Sequence, residues 1–215
     1  MLFFKDEAPK VFGSDCRKVS KVFPQSWMIM SSSPAAVRTV GLPLGSTAVD
    51  FQLKGIDGKT HSLKSFADRK ALVIIFSCNH CPYVQSYEAR MVELQRDYLP
   101  KGAGLVAINS NDDEGYPEDS FENMITRSKE KGFNFPYLRD ETQEIARKYG
   151  AICTPHIFLF NQRRILSYKG RIDDNRNPAD VKSHDLRNAM DAVLSTKTPT
   201  VQETRPFGCS IKWKP

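Results

Sequence analysis

A chain of 215 residues with 40% hydrophobic and 26% charged content fills one core and leaves two full domains cramped. Its net charge of +6 comes from lysines and arginines scattered among aspartates and glutamates, which excludes the concentrated basic surface of a nucleic-acid binder. No apolar run approaches the ~20 residues that cross a bilayer, so no membrane partner is expected.

Residues 1–40 lack sustained periodicity and contain "SSSP", which predicts a flexible extension ahead of one domain over residues 41–215. The opening "MLFF" is cut short by Lys5, Asp6 and Glu7, unlike a secretory h-region. The same acidic residues, with Asp15, argue against an organelle transit peptide without closing that route. The domain opens at "VGLPLGS". In "VDFQLKGIDGKTHSL" two alternating runs flank Asp57-Gly58, a hairpin signal. "KSFADRK" is a short helical turn. "ALVIIF" (Ala71 to Phe76) is a continuous, β-branched apolar run, as in a strand buried on both faces.

A helix follows from Asn79 to Leu99, with Val84, Tyr87, Met91, Leu94 and Tyr98 at helical spacing and Pro100 and Gly102 ending it. "GLVAIN" is a second buried strand, and "SNDDEGYPED" a polar loop into a helix from Glu118 to Lys131. "FPYLRD" is extended, and "ETQEIARKYG" is a short helix closed by Gly150. "HIFLF" and "ILSYKG" are strands joined by a turn at Asn161 to Arg164, and a last helix runs from Pro178 to Leu194. The order is a hairpin, then β-α-β-α-β-α-β-β-α. It predicts an α/β fold with a mixed sheet flanked by helices on both faces.

Five cysteines form an odd set in which only Cys78 and Cys81 stand close, while Cys16, Cys153 and Cys209 are isolated. Secreted scaffolds carry even, dense cysteines. This pattern predicts a reducing compartment, the cytoplasm, with one special pair. The pair sits in "CNHCP", where a buried strand gives way to a helix. With Asn79 as N-cap, His80, Cys81 and Pro82 become the first helical positions, where proline is tolerated. Cys78 then faces unpaired N–H groups and the positive end of the helix dipole, which favour a thiolate. Two residues of spacing also suit a disulfide.

Exposure predicts that Cys78 attacks substrate disulfides and that Cys81 resolves the mixed disulfide. His80 stabilises the Cys78 thiolate and places the couple toward the middle of the roughly −270 to −120 mV range of dithiol proteins. Half a zinc site is disfavoured, because no two further ligands stand at short spacing. In "CTPHIFLF" a Thr-Pro step leads into a buried strand; a cis bond would turn the chain sharply there, although trans is the default.

With "CNHCP" after "ALVIIF" and "TP" before "HIFLF", the chain resembles the thioredoxin superfamily. It is most similar to the redoxin branch with an internal strand-helix insertion, grouped with alkyl hydroperoxide reductase/thiol-specific antioxidant-like domains. The runs "CNHCPYV", "INSND", "YPED", "FPYLRDETQEIA", "TPHIFLF", "SHDL" and "GCSIKW" resemble those of thiol-disulfide isomerase and thioredoxin-like members, from Leu42 to Trp213. The resemblance implies Cys78 as nucleophile, Cys81 as resolving thiol, Pro155 as a cis-proline beside them, and Thr154 offering its backbone to a substrate chain. The "YPED…FPYLRD" stretch would be the insertion.

Two departures stand out. Ser77 replaces the tryptophan before the first cysteine of thioredoxin itself, and Leu72 falls where its buried acid would be, leaving the proton route to His80 or water.

The expected function is thiol-disulfide exchange through Cys78 and Cys81, serving redox homeostasis. It needs no metal or organic cofactor. Its partners are protein disulfides and an external redox partner, with the chain as a monomer or weak dimer. A peroxiredoxin-like peroxidase is the alternative enzyme, but Ile75 stands where the peroxide-polarising threonine would precede Cys78. A copper chaperone is the non-enzyme alternative, with His80, His156 or His184 as third ligand. Cys153 reads as a small apolar filler, and Cys209 as a third redox thiol only if the tail folds back.

Overall fold

The computed structural model describes residues 41–215; the N-terminal extension and Cys16 lie outside the described residues. A hairpin of β1 (Leu53–Gly55) and β2 (Thr60–His61) comes first, then β3 (Ala71–Ser77), α1 (Pro82–Tyr98) and β4 (Ala103–Asn109). The inserted α2 (Phe121–Lys131) and β5 (Tyr137–Arg139) lead to α3 (Glu144–Tyr149). After these come β6 (Cys153–Thr154), β7 (His156–Asn161), β8 (Leu166–Gly170), α4 (Asp185–Leu194) and β9 (Cys209–Ser210). One sheet runs β2-β1-β5-β4-β3-β7-β8, and β6 pairs separately with β9.

The sheet is mixed because β3 lies parallel to β4 and antiparallel to β7. Every residue of β3 and of β4 is buried, which is why both read as unbroken apolar runs rather than alternating ones. Alternation reappears in what each side chain meets. Ala71, Val73 and Ile75 join a core with Val84, Tyr87, Met91 and Leu94 of α1 and Leu186, Ala189 and Met190 of α4. Leu72, Ile74 and Phe76 face the opposite core, with Ile145, Ala146 and Tyr149 of α3. Helices therefore cover both faces, as the element order predicts. Each fully buried large aliphatic side chain contributes roughly 1.5–3 kcal/mol, so β3 anchors whatever its C-terminal end carries. Among the described residues no helix is long and apolar enough to cross a membrane.

Three helix starts differ from the sequence reading, each for a local reason. Helix α1 begins at Pro82, with Cys81 as its N-cap in extended conformation (φ −69°, ψ 120°). Asn79 does not cap it, because its side chain is spent elsewhere: Nδ2 donates to the Glu118 carbonyl (2.7 Å) and Oδ1 accepts from Tyr137 Oη (2.9 Å). In the insertion, Pro117–Asp119 form only a 3-10 turn, and Ser120 caps α2 by accepting from the Asn123 N–H (3.3 Å). Pro178 likewise opens a 3-10 turn, not α4. The Asp174 carboxylate holds the N–H groups of Lys182 (2.8 Å) and Ser183 (3.0 Å), delaying the helix to Asp185.

Candidate active site

The loop from Cys78 to Cys81 leaves the end of β3 and enters α1 at Pro82, a proline at the first helical position where its missing N–H costs nothing. Opposite it, the Thr154–Pro155 peptide bond is cis. Thr154 bridges the two thiols: its Oγ1 lies 3.2 Å from Cys78 Sγ, and its carbonyl accepts from Cys81 Sγ at 3.3 Å. The cysteines at one end of the sheet and the Thr-Pro step thus form one buried constellation. All four described cysteines are free thiols.

Both members of the pair are buried, Cys78 at 2% and Cys81 at 0% exposure. This corrects the expectation of an exposed Cys78. Interaction between the two sulfurs pushes Cys78 up and draws Cys81 down to about 4. Burial and the Asp119 carboxylate raise Cys78 further. The Cys209 thiol and the N–H of Val84 help to hold charge on Cys81. The pair therefore keeps one proton between two sulfurs over a wide pH range, with the negative charge resting on Cys81. The sequence places that charge on Cys78; the interaction between the two thiols, with the Asp119 carboxylate beside Cys78, puts it on Cys81 instead.

Asp119 is the residue that sequence reasoning missed. It is fully buried, and its Oδ1 accepts from the Asn79 N–H at 2.5 Å. Its Oδ2 lies 2.6 Å from His80 Nδ1 and accepts from Asn111 Nδ2 at 2.8 Å. His80 makes this bond instead of one to the Cys78 sulfur, and its ring stacks on Tyr116 with centroids 5.1 Å apart. Cys78, His80 and Asp119 still bring a sulfur, a ring nitrogen and a carboxylate oxygen within 4.8 Å of one another, a set that can hold a metal ion. A carboxylate from the insertion thus stands beside the thiols, although β3 carries Leu72 where a buried acid would be. Only "YPED" hints at it, and nothing in spacing reveals that its last residue turns inward.

The model of the AhpC/TSA family matches residues 44–169, more than half of the chain and both halves of the thiol constellation. The chain belongs to the AhpC/TSA family. Its fold is that of the thioredoxin superfamily, redoxin branch. A solved structure of a conserved protein from Geobacillus kaustophilus is 45% identical with a TM-score of 0.77, over 80% of this chain and 93% of that one. A protein of Sinorhizobium meliloti 1021 is 40% identical, also at 0.77, over 80% and 96%. Among curated relatives, the thiol-disulfide oxidoreductase ResA of Halalkalibacterium halodurans is 25% identical over 118 residues. That match spans 55% of this chain and 62% of the relative's own length.

Within this family member, Cys78, Cys81, Thr154 and Pro155 come together as expected, and His80 joins them through Asp119. The other two histidines weighed for copper do not. His156, on β7, pairs with Phe76 of β3, packs tilted against Phe158 with centroids 4.5 Å apart, and is held down to about 4 by burial. His184 precedes α4 and lines a cavity with Arg90, Asp173 and Arg187. Ile75, fully buried in β3, offers no hydroxyl to a peroxide. Cys153 is buried and its thiol is pushed up to about 12 by burial, in keeping with a filler.

Proposed function

We propose that this protein is a thiol-disulfide oxidoreductase that exchanges a Cys78–Cys81 dithiol with disulfides of proteins or small molecules. The observation that carries the reading is the contact of both thiols with Thr154 beside cis-Pro155. In the reduced pair, Cys78 passes its shared proton to the Cys81 thiolate and attacks a substrate sulfur. One substrate thiolate leaves, and a mixed disulfide to Cys78 remains. Cys81 loses the proton and attacks Cys78, expelling the second substrate thiolate and closing the Cys78–Cys81 disulfide. Two electrons pass to the substrate in all; of the two protons its thiols take up, one comes from the pair and one from solvent. The buried Asp119, bonded to the partly exposed His80, supplies a route by which a proton reaches solvent. An external dithiol or disulfide partner resets the pair.

We place the chain in a reducing compartment, the cytoplasm, on the spacing of its cysteines, and read it as a monomer or weak dimer. The test is trapping. A Cys81→Ser variant should accumulate a mixed disulfide with a disulfide-bonded peptide, and a Cys78→Ser variant should not. Trapping in Cys78→Ser alone would reverse the assigned roles.

A further inference from the structure

The C-terminal tail brings a third thiol to the pair. Strand β9 lies antiparallel on β6, with Cys209 opposite Thr154 and Ser210 opposite Cys153. Thr154 is the residue that touches both Cys78 and Cys81, so the pairing sets Cys209 beside the dithiol. Cys209 packs against the core cluster that contains both cysteines. The two thiols influence each other's ionisation, Cys209 lowering Cys81 and Cys81 raising Cys209. The approach is close and built in: a side chain on Gly208 would put its Cβ 2.1 Å from the Thr154 carbonyl oxygen, so only glycine fits. The tail is fastened on both sides of the cysteine. Phe207 packs edge-on to Tyr83 with centroids 6.2 Å apart. Beyond it, Ile211 is buried in the opposite core. The Lys212 N–H then donates to Asn111 Oδ1 (2.9 Å), and its carbonyl accepts from the Asp112 N–H (2.8 Å).

We infer that Cys209 is a third redox thiol, which takes the disulfide over from Cys78 by forming a Cys81–Cys209 bond. The inference rests on the Cys78–Cys81 exchange proposed above. Once a substrate has oxidised the pair, the Cys209 thiolate attacks Cys81 Sγ. The Cys81–Cys209 bond forms, the Cys78–Cys81 bond breaks, and the electron pair leaves on Cys78. Cys78 takes up the proton that Cys209 gave up. The oxidation level is unchanged, and the only oxidant is the substrate disulfide already consumed. The result is an oxidised protein in which Cys78 is again a free thiol. Cys209 is half-buried, and burial raises its thiol to about 11.

The test is disulfide mapping of the full chain. The protein is oxidised with excess oxidised glutathione, its remaining thiols are alkylated, and tryptic peptides are read without reduction. Cys78 and Cys81 share the peptide ending at Arg90, whereas Cys209 lies beyond Lys197, so the two disulfides give different fragments. The expected result is a cross-link between these peptides with Cys78 alkylated. It should vanish in Cys209→Ser, leaving the Cys78–Cys81 bond. A Cys78–Cys81 disulfide alone in the natural chain, with Cys209 alkylated, overturns the relay and leaves the exchange intact. No disulfide among the three overturns both. The natural chain decides the matter even if the variant fails to fold.

Discussion

Replacing Asp119 with asparagine removes a buried charge beside the thiols and nearly conserves volume. The carboxylate lies within 4.8 Å of the Cys78 sulfur. With the interaction with Cys81 and burial, it holds the Cys78 thiol up. Two unit charges at that separation interact by about 3.5 kcal/mol at an effective dielectric of ~20. The donors on Asp119 spread its charge, so about a third of that, ~1.2 kcal/mol, is the working magnitude. In a two-electron couple this equals about 25 mV. Without the carboxylate the Cys78 thiolate lies lower in energy, so at alkaline pH, where Cys78 ionises, the reduced form gains and the potential moves toward less negative values. The shift should grow as pH rises and Cys78 ionises. The assay is the redox equilibrium of natural and Asp119→Asn proteins against glutathione, by thiol labelling at several pH values. A potential that stays unchanged or turns more negative at the most alkaline pH would refute the reasoning. Stability is a separate readout: the new amide meets the Asn111 amide, and one buried donor left unpaired costs roughly 1–3 kcal/mol in urea unfolding.

Three further outcomes are expected. Thiolate absorbance near 240 nm in the reduced protein should persist down to about pH 4, where Cys81 titrates; Cys81→Ser should lose that signal, and its survival would place the charge on another sulfur. Thr154→Val removes the hydroxyl that helps Cys78 ionise. At about 1 kcal/mol for the bond it should slow disulfide exchange roughly fivefold, with the natural rate as the contrary result. His156 is buried neutral, with its pKa lowered from 6.5 to about 4, so the unfolded chain binds its proton first as pH falls. Stability from this site is therefore intact above pH 6.5 and lost progressively toward pH 4, by up to about 3 kcal/mol. Urea midpoints at pH 7 and pH 5 should differ less in His156→Phe than in the natural chain.

What the sequence disclosed was local or strongly patterned. "ALVIIF" and "GLVAIN" are buried on both faces, so their apolar runs mark β3 and β4 without ambiguity. The Cys-x-x-Cys spacing and the Thr-Pro step each have a chemical reason that needs no neighbour. The rest was hidden because it depends on long-range pairing. Asn79 has the composition of a cap, yet Glu118 and Tyr137, 39 and 58 residues away in sequence, claim its side chain. The cap therefore falls to Cys81. Asp119 looks like one more acid in a polar loop until the insertion folds it against His80. Strand β9 is two residues long, too short for any period, and its partner Thr154 is visible only in three dimensions.

The central claim is that Cys78 and Cys81 form a reversible dithiol couple, and the most direct test is their equilibrium with glutathione, read by thiol labelling with a Cys78→Ser control and no copper present. The account predicts a two-electron couple between roughly −270 and −120 mV that disappears in the control. A pair that does not cycle, or cycling that survives the loss of Cys78, would contradict it.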